Sequence, residues 1–143
     1  MKRLKNQHFV QYIGSYTTVR SLDLIMTPVA DCTLAEYMEE LGTTASDSTL
    51  QSFFGCLATS IAYLHTNRIK HGCIKPNDIL IHRSSVFIAD FEDSLDFSDV
   101  DVSYIEEGPD PIAPRYASPE IAAMEAPGTP ADIWALGCVF LEM

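Results

Sequence analysis

Between His71 and Asp93 the chain gathers the side chains best suited to chemistry. Cys73, Lys75 and Asp78 stand close together, and Asp90, Glu92 and Asp93 follow after an apolar interval. Asp78 and Asp90 carry carboxylates, hard oxygen donors of the kind a cation can use. The plainer alternative is that both carboxylates face solvent. A thiol such as Cys73, with a pKa near about 8.5, is mostly protonated at neutral pH and offers no strong hydrogen-bond acceptor. A neutral, shape-filling Cys73 is therefore the plain reading, against a nucleophilic or redox one. The remaining cysteines, Cys32, Cys56 and Cys138, make no CxxC spacing. Neither a zinc site nor a disulfide framework is expected, and reduced intracellular thiols are.

The elements that must position these groups are legible from pattern. Phe9 to Tyr16 and Leu22 to Met26 read as an antiparallel pair of strands joined by a polar turn. Thr33-Leu-Ala-Glu36 is a capping box, which predicts a short helix from Leu34 to Leu41, ended by Gly42. Leu50, Phe53, Phe54, Leu57, Ile61 and Leu64 recur at spacings of three and four, so a long amphipathic helix is expected from Ser46 to Thr66. Ile79 to Ile81 and Val86 to Ala89 read as a hairpin. Phe91 to Pro119 shows little periodicity and reads as a long functional loop. Thr129-Pro130 predicts an N-cap followed by proline at the first helical position. The helix behind it, to Met143, is apolar nearly all round and is expected to be buried.

Bulk properties bound the rest. With 143 residues, 47% hydrophobic and 20% charged, the chain suits one globular unit with a modest core. A net charge of −11 with nine basic residues argues against nucleic acid or an anionic membrane surface as partner, whereas a protein partner stays open. No apolar run approaches the roughly 18 residues of a membrane span, and Met1 to His8 is basic and polar with no apolar stretch behind it. A cytoplasmic or nuclear address is expected from the absence of such signals. Oligomeric state is not legible.

Four segments, in order, carry a family resemblance. His71-Gly-Cys-Ile-Lys-Pro-Asn-Asp-Ile-Leu80 resembles the catalytic loop H-R-D-L-K-P-x-N-I-L of protein kinases. Asp90-Phe91-Glu92 resembles the D-F-G element, Pro114 to Glu120 the P-R-Y-x-A-P-E end of the activation segment, and Asp132 to Cys138 the D-I-W-S-L-G-C helix. The stretches Phe9 to Tyr16 and Pro28 to Tyr37 resemble those of filamentous-fungal serine/threonine kinases. The implied fold is α+β and partial. Residues 1–30 would be a remnant of the small lobe, two strands and a hinge. Residues 31–143 would be part of the large lobe, with catalytic loop 71–80, activation segment 90–120 and buried helix 130–143. The glycine-rich loop and strand lysine of the small lobe are not found, and the later large-lobe helices would be missing.

The resemblance also implies roles. Cys73 occupies the place of the catalytic aspartate, and Lys75 matches the lysine that meets the transferring phosphate. Asp78 replaces the metal-binding asparagine, and Asp90 retains the metal-binding aspartate. Met26 would be the gatekeeper, Thr27 and Val29 the hinge groups toward adenine, and Leu80 the floor beneath it. His71 and Phe91 match the hydrophobic spine, with Tyr12 as a candidate third member. Asp132 matches the helix aspartate that accepts catalytic-loop N–H bonds, and Glu120 the acid that pairs with an arginine in a later helix. Without that arginine Glu120 must be solvated or rescued by another chain. Gly72 replaces the arginine that reads a loop phosphate, Ala113 the threonine before Pro-Arg-Tyr, and Glu92 the D-F-G glycine, where it should restrict the turn. Ser103 and Tyr104, beside Glu106 and Glu107, would thus have no phosphate receptor in the chain. ATP and magnesium follow by resemblance, yet without the strands that would roof the adenine ATP is expected to bind feebly or not at all, and neither is expected to be held by this chain. The expected reading is an inactive pseudokinase acting through protein contact. The alternative is a serine/threonine kinase, active as it stands or completed by missing exons.

Overall fold

The computed structural model describes residues 4–42, 48–98, 114–125 and 128–143. Two strands, β1 (Gln11–Thr17) and β2 (Leu22–Thr27), pair antiparallel, as their sequence pattern predicts. After them come the short strand β3 (Cys32–Thr33) and helix α1 (Leu34–Leu41). The Thr33 capping box is fully formed. Glu36 N–H donates to Thr33 Oγ1 at 3.2 Å, and Thr33 N–H donates to Glu36 Oε2 at 2.7 Å. Gly42, at φ +61°, ends the helix.

Helix α2 (Ser48–Thr66) buries Leu50, Phe53, Leu57, Ile61 and Leu64 along one face, the three-and-four spacing at work. Phe54 lies off that face and packs on Phe140, with ring centroids 4.5 Å apart. Strand β4 (Ile69–Lys70) follows and pairs with β7 (Leu95–Asp96). Between them a 3₁₀ turn at Pro76–Asp78 leads into the hairpin β5 (Ile79–His82) and β6 (Ser85–Ile88). Alternation along the hairpin sends Ile79, Ile81, Val86 and Ile88 into the core. β3 adds to the β5 edge, giving the order β3-β5-β6. The N-terminal segment is tied to β6 by Val10 N–H to Ile88 O and Ile88 N–H to His8 O. It thereby brings Phe9 and Val10 into the core shared by α2, β5 and β6.

Helices α3 (Pro119–Ala122) and α4 (Thr129–Glu142) complete the order. Two expectations for α4 are corrected. Its N-cap is Gly128, extended at φ −91° and ψ −169°, so Thr129 is already helical and Pro130 is one position further in. Proline is equally harmless there, because that first-turn N–H has no intrahelical partner. Nor is the helix buried all round. Ala131, Asp132, Ala135, Leu136 and Val139 face α2 and β4, but Trp134 is 48% and Leu141 90% exposed. Small alanines let α4 approach on one side. Among the described residues nothing packs on the other, where Ile133, Trp134, Cys138 and Leu141 line an apolar groove of about 630 Å³.

Since Leu57 and Leu64 are fully buried where α2 meets the hairpin and α4, Leu64→Ala is expected to lower the unfolding free energy by about 2–5 kcal/mol, measured by urea denaturation. Truncating the neighbouring exposed Thr66 should change it by no more than about 0.5 kcal/mol.

Candidate functional site

The loop from His71 to Asp78 is held by one buried carboxylate. Asp132, 1% exposed on the first turn of α4, accepts His71 N–H at Oδ2 and Gly72 N–H at Oδ1, both at 2.9 Å. His65, from the last turn of α2, donates Nε2–H to Oδ2 at 2.8 Å. Three donors from two elements thus converge on one side chain. Losing it would leave buried N–H groups unpaired, a cost of about 3–5 kcal/mol. The Asp132 bonds are those its pattern predicts. His65 was not singled out in the sequence, although an imidazole one turn from a helix end, facing the α4 aspartate, is what closes the network.

His71 sits fully buried behind the loop. Its Nε2–H donates to Ala89 O at 3.0 Å, which leaves Nδ1 without a proton and without a partner among the described residues. Burial pushes its pKa below the ordinary imidazole value and outweighs the opposing pull of Asp132, Ala89 O, Asp78 and Asp90. The ring packs on Phe91, with centroids 4.9 Å apart, and Phe91 meets Phe9 edge-on at 5.5 Å. Phe9 is therefore the third ring of this stack. Tyr12 lines the cavity of about 450 Å³ that Phe9 and Phe91 also border.

The structure brings Cys73, Lys75 and Asp78 into one cluster. Lys75 Nζ lies 3.3 Å from Cys73 Sγ, to which it donates, and 3.0 Å from Asp78 Oδ2. The Asp78 carboxylate holds the lysine pKa well above its ordinary value. Burial pushes the Cys73 thiol up, so Cys73 stays protonated and neutral despite the ammonium beside it. Asp78 is itself raised, because burial outweighs Lys75's stabilisation of its charge and the nearby Asp90 adds repulsion. The expectation that both carboxylates face solvent is corrected. Asp90 is exposed, at φ +56°, but Asp78 is buried against Lys75.

Glu92 lies outside the left-handed region. The left-handed residue is Asp90, and the turn closes by Ser94 N–H and Oγ–H donating to Phe91 O. Gly72 carries a constraint that reading it as a lost arginine misses. At φ +92°, a Cβ built on it would stand 2.5 Å from Asp93 O and 3.2 Å from Asp93 C. The backbone of the Asp93 segment fills the space a side chain would need.

Among the described residues the adenine-side positions form no enclosure with this cluster. Met26 and Thr27 pair with Tyr12 and Gln11 in the two-stranded sheet, where Met26 is 39% exposed. Val29 follows in a loop at 81% exposure, and Leu80 is half-buried in β5 opposite Thr33 and Phe87. Glu120 is partly exposed and so solvated. Glu142 instead takes up the activation-segment end. It pairs with Arg115 Nε at 3.0 Å and accepts Tyr116 O–H at 3.1 Å. Ala113, Ser103, Tyr104, Glu106 and Glu107 lie outside the described residues.

A family model described as protein kinase domain matches residues 1–143. The chain belongs to the protein kinase family. Its relatives include mitogen-activated protein kinase kinase kinase 15 of Mus musculus, 30% identical over 99% of this chain, and MAP kinase kinase kinase wis4 of Schizosaccharomyces pombe, 31% identical over all of it. Cell division control protein 2 homolog 1 of Trypanosoma brucei brucei is 27% identical, also over the whole chain. The chain spans 11% of the length of each of the first two and 47% of the third.

Protein kinases use ATP and magnesium. The kinase residues present here do not fit the metal. The carboxylate at the asparagine position already faces the Lys75 ammonium at 3.0 Å, which repels a second cation on the same oxygen. No helix among the described residues is long and apolar enough to cross a membrane.

Two outcomes follow from this geometry. Gly72→Ala should destabilise the kinase fold by about 1–3 kcal/mol in urea, and Gly72→Arg by at least as much, because both must push Asp93 away. His71, lowered on folding, binds fewer protons folded than unfolded just below its ordinary value of 6.5. Stability is therefore full above about pH 6.5 and falls as pH drops below it, with a limiting slope near 1.4 kcal/mol per unit. His71→Phe should flatten that slope in parallel urea titrations, whereas the raised Asp78 acts the other way in both proteins.

Proposed function

We propose that this kinase unit does not transfer phosphate and acts through protein contact. The observation that carries the first half is the Cys73–Lys75–Asp78 cluster. Accepting a hydroxyl proton during phosphoryl transfer requires a free, well-placed acceptor. At the aspartate position stands a neutral thiol already accepting from Lys75. The lysine that would meet the transferring phosphate is drawn onto Asp78. The second half follows from the first, because a kinase fold without the transfer chemistry is left with its surface as its means of acting.

The kinase kinase kinases among its relatives, and the retained Lys75 and Asp90, favour a second reading, a serine/threonine kinase that phosphorylates protein hydroxyls. Titrating the chain with ATP, with and without magnesium, in a thermal-shift experiment separates the two. The pseudokinase reading expects an unmoved melting transition, whereas a bound nucleotide at about a hundred times its Kd would add about 2.7 kcal/mol. Radiolabelled phosphate transfer should be absent in the wild type and in Cys73→Asp alike, because restoring the carboxylate alone leaves Gly72 and Glu92 in place. Transfer by the wild-type chain would refute the inactive reading.

A further inference from the structure

A carboxylate that loses most of its water needs a cation, and Asp78 has one of its own. Asp78 is buried, and the Lys75 ammonium stands 3.0 Å from its Oδ2. The pair is set three residues apart across the 3₁₀ turn Pro76–Asp78, so local backbone geometry holds them together without help from elsewhere. What else the ammonium touches matters as much. Its other partner is the Cys73 sulfur, a neutral acceptor that does not compete for the charge. With a carboxylate at position 73 the lysine would be shared between two acids. With a thiol there, its charge is spent on Asp78.

A divalent ion at Asp78 would have to displace that ammonium or sit beside it. Magnesium binds oxygen at about 2.0–2.1 Å, so an ion on Oδ2 would lie no more than about 5 Å from Nζ. Two positive centres that close, on a buried carboxylate, repel strongly because little water screens them. Asp90, the other acid near Asp78, is exposed and keeps its own hydration.

We propose that the Lys75 ammonium is a built-in counter-ion standing where a divalent metal would, so that the loop is charge-balanced without metal and closed to it until the lysine is removed. This rests on reading the loop as silent in phosphotransfer, but it concerns metal binding and fails separately. Phosphate transfer by the wild type would sink the functional reading. Metal held through Asp78 without transfer would sink only the counter-ion.

The test uses manganese(II) alone as the probe, with the full 143-residue chain and no nucleotide, and reads free ion by electron paramagnetic resonance. Lys75→Met is expected to bind one manganese ion at least tenfold more tightly than the wild type. Lys75→Arg, which keeps a cation, should behave as the wild type, and Lys75→Met with Asp78→Asn should lose the gain. Lys75→Gln serves the same purpose should the methionine variant not fold. The wild type compared with Asp78→Asn alone needs no lysine variant, and the two are expected to bind manganese equally weakly. Weaker binding in Asp78→Asn, no gain in either neutral lysine variant, or a gain that survives Asp78→Asn would each overturn the counter-ion.

Discussion

The Asp132 carboxylate is the point on which the rest of this structure depends. It is the place where the end of α2, the start of α4 and the backbone of the loop between them are joined by hydrogen bonds rather than by apolar contact. Apolar packing is tolerant of small displacements, whereas three N–H groups aimed at two oxygens are not. The loop's conformation is thereby set from behind. The side chains at its front, a thiol at 73 and none at 72, leave those backbone bonds untouched.

The front of the loop has settled into a different electrostatic arrangement. In a site built for phosphoryl transfer, positive groups are held ready for charge that arrives with the substrate. Here the available positive group is satisfied in advance by a neighbour three residues away. Internal neutralisation of this kind stabilises the resting loop, which is the basis of the counter-ion proposed above. The aromatic stack of His71, Phe91 and Phe9 carries the same rest state outward, from the loop to the N-terminal segment pinned on β6.

Much of this was legible in the sequence where periodicity or a cap speaks for itself. The capping box at Thr33, the buried face of α2 and the alternation in β5 and β6 depend on neighbours a few residues away, and local patterns report them faithfully. The Asp132 bonds were legible for another reason, since the motif around Asp132 carries its partner with it. What escaped was decided at long range or by atoms too small to leave a pattern. Apolar residues all round α4 say nothing about which neighbours cover them, so its exposed face had to be seen. His65 looks like any helix-ending histidine until α4 is placed against it. The Lys75–Asp78 pair was within reach of spacing alone, yet a lysine aimed at phosphate and one aimed at its neighbour read identically in one dimension.

The close approach at Gly72 couples two segments that are distant in the sequence. A glycine that merely replaced an arginine would leave a vacancy into which arginine could return by one substitution. Here the Asp93 carbonyl occupies the volume that the first carbon of any side chain would need. Return therefore requires the neighbouring segment to retreat before the side chain can re-enter, and the first step of that path is disfavoured whichever change comes first. A side chain at position 72 and the present path of the Asp93 backbone exclude each other, so the two segments are free to change only together.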